Sequence, residues 1–285
     1  MFKKVLFPTE FSKEDDKLLY FLKGMKKLGL KEVVLIHVSN PVGLEQPLVE
    51  KLESELLAIL NKRAKILENS KIRVKTVLLF GVPHEEIIKT SIEEKVSVIV
   101  SGTRGKKLVE ELVKGSTSEL VGRRANVPVL LIRYKTIKTK NNNEVQKMGE
   151  GLLKNVLSPM DFSEGSEIAL DFLKNLNRKI CSEMTLLHIV DEKEIKDQES
   201  KESILRLDRR ILLGIKVELE NRGFKVNIQL GIGPVIAGVL DISSELESTL
   251  LVIGPHGKGV TKELFLGSVS QNLVRTTTLP VILVH

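Results

Sequence analysis

The sequence is poor in residues on which several functional classes depend. Aromatic residues make up 4% of its 285 residues and tryptophan is absent, which argues against a stacking platform for single-stranded nucleic acid. The single cysteine, Cys181, can form neither an intrachain disulfide nor a CxxC metal site. A disulfide-rich secreted protein and a zinc ribbon are therefore both disfavoured.

Long hydrophobic runs are also missing. No stretch approaches the roughly 18 uninterrupted apolar residues that a membrane helix needs. The apolar run near the start of the sequence stops at Pro8, too early for the core of a signal peptide. Hydrophobic residues make up 42% and charged residues 28% of the chain, an ordinary globular mixture. We therefore expect a soluble cytoplasmic protein without a membrane partner.

The excess of positive charge lies in the first half of the chain. Residues 1–134 hold 24 Lys and Arg against 17 Asp and Glu, while the whole chain has a net charge of +7. The lysines alternate with acidic residues, as in KEDDK and EEKV, instead of clustering. A solvated charged surface is therefore favoured over a nucleic-acid interface.

The chain repeats itself. The segment KKVLFPTEFS at 3–12 recurs as KNVLSPMDFS at 154–163, and NVPVLLIR recurs near the end as TLPVILVH. The offset between the copies is 151 residues at the first pair of segments and 152 residues at the second. A repeat of this length corresponds to a complete domain, not to a solenoid unit.

The repeat defines two domains and a connection. The first domain covers residues 1–134 and the second covers residues 152–285. Between them, residues 135–151 read KTIKTKNNNEVQKMGEG, which is polar, rich in asparagine and without periodicity. We therefore expect these residues to form a linker.

Within each copy, short β-branched runs alternate with longer segments of helical periodicity. Runs such as EVVLIHV and VSVIV are typical of strands buried on both faces. This alternation predicts an α/β fold: two tandem doubly wound domains, each a five-stranded parallel sheet of order 3-2-1-4-5 with helices on both faces. Ser12, with Asp15 three residues later, predicts the capping box that begins the first helix.

Each copy contains the pattern G-x-x-G, nine residues, then G-S. The glycines and serines are Gly102, Gly105, Gly115 and Ser116 in the first copy, and Gly254, Gly257, Gly267 and Ser268 in the second. Glycines let a phosphate approach the backbone, and a helix N-terminus offers free N–H groups and a positive dipole end. The pattern therefore predicts a polyphosphate cradle, with further hydroxyls from Ser118 and Ser270.

A structural explanation competes with this interpretation. Strand-to-helix turns often contain glycine, and a serine at a helix start is often only a cap. The full pattern occurring twice, each time after a strand and before a helix, favours phosphate binding over turns alone. A Walker loop is excluded because the chain lacks G-x-x-x-x-G-K-[ST].

A carboxylate follows the first strand of each copy, Glu10 in PTEFS and Asp161 in PMDFS. Ligands of doubly wound sheets lie beyond the carboxyl ends of the strands, where the strand order reverses. In the order 3-2-1-4-5 that place lies between strands one and four, so each carboxylate is expected beside its glycine pattern. It then accepts from an adenine amino group or a ribose hydroxyl, or it caps a helix near Ser12 or Ser163.

These residues resemble the universal stress protein family over nearly the whole chain, twice. The motif G-2x-G-9x-G-[ST] is typical of the ATP-binding branch of that family, so the chain resembles a tandem two-domain member of this branch. The resemblance implies adenine and ribose contacts from Pro8, Glu10 and Val38 in the first copy and from Pro159, Asp161 and Ile189 in the second.

The resemblance also implies which residues hold the phosphates. They are Gly102, Gly105, Gly115, Ser116, Thr117 and Ser118 in the first copy, and Gly254, Gly257, Gly267, Ser268, Val269 and Ser270 in the second. The implied ligand is ATP, or AMP or ADP in its place, with Mg²⁺ as a companion ion and no metal site from the protein alone. Two departures stand out: the family has Asp where this chain has Glu10, and Pro255 removes an N–H donor.

The expected function is that of a stress-response or regulatory protein that binds an adenine nucleotide without rapid turnover. The sequence offers phosphate cradles but no Ser–His–Asp order, no paired catalytic carboxylates and no metal-ligand cluster, so we assign no catalytic residue. The alternatives are a slow ATPase or nucleotidyl-transfer enzyme on a related fold, or a scaffold with degenerate sites.

The last strand of each copy is apolar and is expected at a sheet edge. These strands are PVLLIR at Pro128–Arg133 and PVILVH at Pro280–His285, and an exposed apolar edge invites pairing. We predict that the two strands pair antiparallel within one chain as a pseudo-dimer. Further homodimer formation is compatible with the same sequence.

Overall fold

The computed structural model describes residues 2–40, 46–103, 117–254 and 267–285. The chain divides into two compact units, Met1–Gly151 and Leu152–His285.

The first unit contains a parallel sheet of five strands in the order β3-β2-β1-β4-β5. Continuous Val, Ile and Leu runs form the inner strands, whose side chains are buried on both faces, as expected for a parallel sheet covered by helices. The strands are β1 (Lys4–Pro8), β2 (Glu32–Ser39), β3 (Arg73–Phe80), β4 (Val98–Thr103) and β5 (Val129–Arg133).

Helices connect these strands. The first begins at a capping box in which the Ser12 hydroxyl accepts from the Asp15 N–H and the Asp15 carboxylate accepts from the Ser12 N–H. The first helix packs beside the second helix, and the third helix packs beside the fourth. The helices are α1 (Lys13–Met25), α2 (Gln46–Glu68), α3 (Pro83–Glu93), α4 (Thr117–Arg124), α5 (Tyr134–Lys138) and α6 (Asn142–Glu150).

The predicted linker at 135–151 is helical. Almost all of it lies in α5 and α6, and it clusters with the first unit. Asn141 and Glu144 form a capping box at the start of α6, and α6 packs along α1. The stretch predicted as a linker therefore contains two helices, and the small residue Gly149 permits the second to pack closely on α1. The domain bounds 1–134 and 152–285 stay a prediction.

The second unit repeats the architecture, in the order β8-β7-β6-β9-β10 with every described pairing parallel. Its strands are β6 (Asn155–Pro159), β7 (Glu183–Val190), β8 (Val226–Ile232), β9 (Leu250–Ile253) and β10 (Val281–Leu283). Its helices are α7 (Glu164–Lys174), α8 (Gln198–Asn221), α9 (Val235–Glu245) and α10 (Ser268–Thr276).

The predicted α/β fold and strand order 3-2-1-4-5 are confirmed in both units. The first strand of each unit is central: Leu6 of β1 pairs with Val34 of β2 and with Ile99 of β4, and β6 lies in the same way between β7 and β9. The strand order therefore reverses beside the first strand, and its carboxyl end is the expected place for a ligand. None of the helices in the described ranges is long and apolar enough to cross a membrane.

Candidate functional site

A tight turn follows the first strand of each unit. Phe11 after β1 and Phe162 after β6 both have a positive φ, 62° and 59°, which is uncommon for a residue other than glycine. Strained backbone of this kind persists only where its surroundings hold it, and it is concentrated at functional sites. The two units therefore share a strained turn directly beside Glu10 and Asp161.

A histidine from the neighbouring strand fastens each turn. His37 Nδ1 lies 2.7 Å from the carbonyl oxygen of Thr9, and its ring stacks on Phe11 with centroids 4.2 Å apart. His188 repeats the contact in the second unit, with Nδ1 2.6 Å from the carbonyl oxygen of Met160. A carbonyl oxygen only accepts, so Nδ1 is the donor in both cases.

In the second unit, two serines orient the Asp161 carboxylate. Its Oδ1 accepts from the N–H of Ser163 at 3.1 Å, from the Ser163 hydroxyl at 2.5 Å and from the Ser166 hydroxyl at 2.5 Å. Ser163 is also the N-cap of α7. Asp161 is therefore held at the carboxyl end of β6 by hydrogen bonds that include the capping residue of α7.

In the first unit, the carboxylate that accepts hydrogen bonds in this turn is Asp15. It stands at the position of Ser166, and its Oδ2 accepts from the N–H of Glu10 at 2.8 Å. Its Oδ1 accepts from the Tyr134 hydroxyl at 2.5 Å. Burial raises the pKa of the Tyr134 phenol, and the nearby Asp15 carboxylate raises it further, so Tyr134 stays protonated as the donor. The turns thus differ: the first unit presents an exposed Glu10 and the second an anchored Asp161.

A cavity of about 300 Å³ opens at the carboxyl ends of the strands in the second unit. Eight of the nine residues predicted to bind nucleotide in this copy line it: Pro159, Asp161, Ile189, Gly254, Gly267, Ser268, Val269 and Ser270. The ninth, Gly257, lies outside the described residues. The cavity lies where the strand order reverses, between β6 and β9.

Glycines of the segment GIGPVIAG at 231–238 shape the apolar wall of this cavity. A Cβ on Gly231 would lie 2.8 Å from Cδ1 of Ile189, and a Cβ on Gly238 would lie 3.1 Å from the same atom. Ile189 is 9% exposed. The first unit has the smaller Val38 at the corresponding position. The glycines of β8 and α9 therefore give the larger Ile189 the room it needs beside the cavity.

The N-terminus of α10 contributes to the cavity lining. Gly267 is its N-cap and provides no side-chain cap, so with respect to the described residues its first N–H groups and positive dipole end are available to an anion. Ser268 is exposed at the first helical position. Ser270 has a different role, because its hydroxyl donates to the carbonyl oxygen of Gly254 at 3.0 Å and connects α10 to β9.

The first glycine of each predicted phosphate motif is required by packing. A Cβ on Gly102 would lie 2.0 Å from Cε1 of Tyr134, and a Cβ on Gly254 would lie 2.0 Å from the carbonyl oxygen of Gly165 in α7. The half-buried ring of Tyr134 fills this space in the first unit, and backbone fills it in the second. The structural explanation therefore accounts for these two glycines without a phosphate.

The remaining first-copy residues are only partly described. Pro8 ends β1 and Val38 lies half-buried in β2, while Thr117 and Ser118 form the start of α4. The three residues predicted to complete the phosphate cradle lie outside the described residues: Gly105, Gly115 and Ser116.

Ten lining residues were missed by the sequence analysis, and four of them lie in the turn after β7 or in α9: Asp191, Glu194, Val235 and Val239. Asp191 follows β7 directly, so the rule that located Asp161 could have found it. The other three depend on how a 3-10 turn at Glu192–Glu194 and the helix α9 face the sheet, which no local pattern indicates. The described lining contains several carboxylates but no lysine or arginine. No group of three or more His, Cys, Asp or Glu side chains in the described ranges is arranged to hold a metal ion.

Comparisons with known proteins agree with this architecture. The model of the universal stress protein family matches residues 1–133 and 153–285. A universal stress protein of Methanocaldococcus jannaschii is 34% identical over 158 residues, which are 47% of this chain and 97% of that protein. A universal stress protein of Methanothermobacter thermautotrophicus is 32% identical over 143 residues, again 47% of this chain and 97% of the relative.

A solved structure has the same two-unit extent. The universal stress protein of Archaeoglobus fulgidus aligns over 99% of this chain and 95% of its own, with a TM-score of 0.75 and 24% identity, which shows a shared fold. The family model covers both halves of the chain separately, and each half carries the five-stranded sheet described above. This chain belongs to the universal stress protein family, with two copies of the family's domain in tandem.

Proposed function

We propose that this chain binds an adenine nucleotide, above all ATP, in the cavity of its second unit, and that the bound nucleotide regulates its contacts with other proteins. The observation that supports the proposal is a single cavity that unites the anchored Asp161 with the uncapped N-terminus of α10. Asp161 follows β6, and α10 follows β9, the strand that pairs with β6.

The lining residues suit the base, the ribose and the phosphates of a nucleotide. The volume of about 300 Å³ lies at the lower end of the range for small-molecule sites. Asp161 and Asp191 supply acceptors for amino and hydroxyl groups, and Ile189 and Val235 supply apolar surface for a base. The helix N-terminus favours the negatively charged tail. A nucleoside rich in donors, with phosphates attached, matches this distribution.

The same lining argues for binding without rapid turnover. Phosphoryl transfer needs positive charge to stabilise the transferred group, and the described lining residues include no lysine or arginine. Both ring nitrogens of His188 have partners: Nδ1 lies at the Met160 carbonyl oxygen, and Nε2 lies 3.3 Å from Asp208 Oδ2. We therefore expect phosphate release well below 1 per second, the lower end of common enzyme rates.

Isothermal titration calorimetry with ATP and with adenosine tests the proposal. Ser268→Glu places a carboxylate at the first position of α10, where it suits the helix dipole but takes the place proposed for the phosphates. We expect the affinity for ATP to fall at least a hundredfold at this site and the affinity for adenosine to change less than threefold. Ser268→Gln is the matched control, similar in size and neutral, and should weaken ATP binding less than tenfold.

The outcomes separate the alternatives. Wild-type protein that binds neither ATP nor adenosine would contradict the proposal and favour a scaffold with degenerate sites. Unchanged ATP binding in Ser268→Glu would refute the role of α10. Phosphate release from ATP near 1 per second would favour the ATPase alternative over a binding protein.

A further inference from the structure

The outer face of α8 carries exposed apolar residues beside the exposed Arg210. The buried residues of this helix, such as Leu212 and Leu219, face the sheet. At 100° per residue, the opposite side carries Leu207, Gly214 and Val217. Leu207 is 58% and Val217 is 53% exposed. Exposed apolar side chains grouped on one face of a long helix are typical of an interaction surface.

The corresponding helix of the first unit lacks this face. Leu60 and Leu67 of α2 are buried and correspond to the buried leucines of α8 with the offset of 152 residues. On the outer side, however, α2 has Glu55, Lys62 and Lys65, where α8 has leucine, glycine and valine. The packing of this fold therefore does not require an apolar outer face, and the face of α8 needs its own explanation.

Gly214 lies at the centre of this face. A glycine inside a helix costs about 1 kcal/mol relative to alanine, so a compensating reason is expected. Among the described residues there is none, because a Cβ on Gly214 would have no heavy atom within 4 Å outside its own helix backbone. Elsewhere the chain places helical glycine where another helix approaches: a Cβ on Gly24 would lie 2.0 Å from the carbonyl oxygen of Gln146. Gly214 fits a helix that comes from outside the chain.

The charges around Gly214 are self-complementary. Suppose that a second α8 runs antiparallel across a two-fold axis at Gly214. Each residue before Gly214 then faces the residue of the second helix that lies equally many positions after Gly214. Arg210 then faces Glu218, twice, and Ile211 faces Val217, twice. Arg210 is exposed. The Glu218 side chain is 44% exposed, and its Oε1 also lies 2.9 Å from Lys174 Nζ and 3.6 Å from Arg222 Nη2. We propose that a second copy of this chain docks on this face, α8 against α8, antiparallel about Gly214.

The size of the surface sets the strength of the dimer. The 24 residues of α8 make a helix about 36 Å long. A strip one helix wide is smaller than the roughly 800 Å² per partner of a stable interface. The small surface therefore predicts weak self-association, with a dissociation constant of about 10 to 100 µM. The two-fold axis makes the interface isologous and closed, so association stops at the dimer.

Sedimentation equilibrium over about 1–500 µM tests the dimer. The wild type should change from the 31.9 kDa monomer to a species of twice that mass. Ile211→Glu should abolish the change, because it places two carboxylates in the apolar centre. Leu48→Glu is the matched control: Leu48 is 53% exposed on α2, and its substitution should leave association unchanged.

A mixing experiment tests the antiparallel register. Arg210→Glu places two carboxylates opposite each other at each 210–218 pair, and Glu218→Arg places two arginines there. Each variant alone should therefore dimerise at least tenfold more weakly than the wild type. In an equimolar mixture, each variant presents the charge that the other needs, and association should return to within threefold of the wild type. A wild type that stays monomeric to about 500 µM overturns the proposal, as does a mixture no stronger than its components.

Discussion

Gly24 of α1 and Gly149 of α6 meet where these helices cross: a Cβ on Gly149 would lie 2.1 Å from the carbonyl oxygen of Phe21 and 3.3 Å from Cα of Gly24. The backbones approach closely because neither glycine has a side chain. Residues that connect the two repeats thus form part of the first unit's packing.

Hydrogen exchange tests this packing. We expect protected amides in Asn142–Glu150, because α6 is held along α1. Gly24→Ala puts a Cβ 2.0 Å from a carbonyl oxygen, and it should destabilise the first unit by about 1–3 kcal/mol and remove that protection. Gly151→Ala is the control, because its Cβ would have only one ordinary contact, at 3.4 Å. Exchange of α6 amides as fast as in an unfolded chain would contradict the packing.

Gly254 gives a second prediction, which concerns the phosphate motif. Because the Gly165 carbonyl oxygen fills the place of a Cβ, Gly254→Ala must shift backbone and should destabilise the second unit by about 1–3 kcal/mol. Gly214→Ala is the opposite case, with open space around a helical Cβ, and should stabilise by about 0.5–1 kcal/mol. Urea unfolding at about 1 µM protein measures both. Equal effects of the two substitutions would refute the packing role of Gly254.

The sequence predicted the fold better than the site. The repeat and the buried strands determined the sheet order, because periodicity and continuous apolar runs are local signals. The role of Gly254 could not be predicted, since it depends on an α7 carbonyl 89 residues earlier in the chain. The contact between Ser270 and Gly254 spans 16 residues, which no short local pattern covers. The pairing of the two last strands within one chain stays a prediction.

A charge network at the start of β1 predicts a pH-dependent stability. Lys4 Nζ lies 2.8 Å from Glu94 Oε2 and 3.0 Å from Glu32 Oε1. The hydrogen bonds from Lys4 are the largest cause that lowers the pKa of each carboxyl. A lowered pKa in the folded state means that the stabilisation is present above the unfolded value, near 4.5, and is lost as the pH falls through the folded value.

Lys4→Met tests the network. The free energy of unfolding should fall by about 1 kcal/mol at pH 7, and this difference from the wild type should shrink as the pH falls below the unfolded pKa of 4.5 toward the lowered folded values. Lys3→Met changes the exposed neighbouring lysine and should have no such effect. A constant difference between wild type and Lys4→Met from pH 7 to pH 3 would show that the lost stability is not electrostatic.

Cys181 should be unreactive in the folded protein. Burial raises the pKa of its thiol from 9.0 to about 11, so the reactive thiolate fraction at pH 8 is about a hundredfold lower than for an ordinary thiol. Iodoacetamide should therefore alkylate the native protein at least a hundredfold more slowly than the protein unfolded in guanidinium. The double variant Cys181→Ser, Ser182→Cys moves the thiol to an exposed position and should react at the unfolded rate; equal rates in native wild type and this variant would contradict the burial.

The most direct test of nucleotide binding is a crystal structure of the protein grown with saturating ATP. We expect a nucleotide in the cavity of the second unit, with its base or ribose at Asp161 and Ile189 and its phosphates within hydrogen-bond distance of the first N–H groups of α10. A cavity without nucleotide at saturating ATP, or phosphates bound away from the N-terminus of α10, would contradict it.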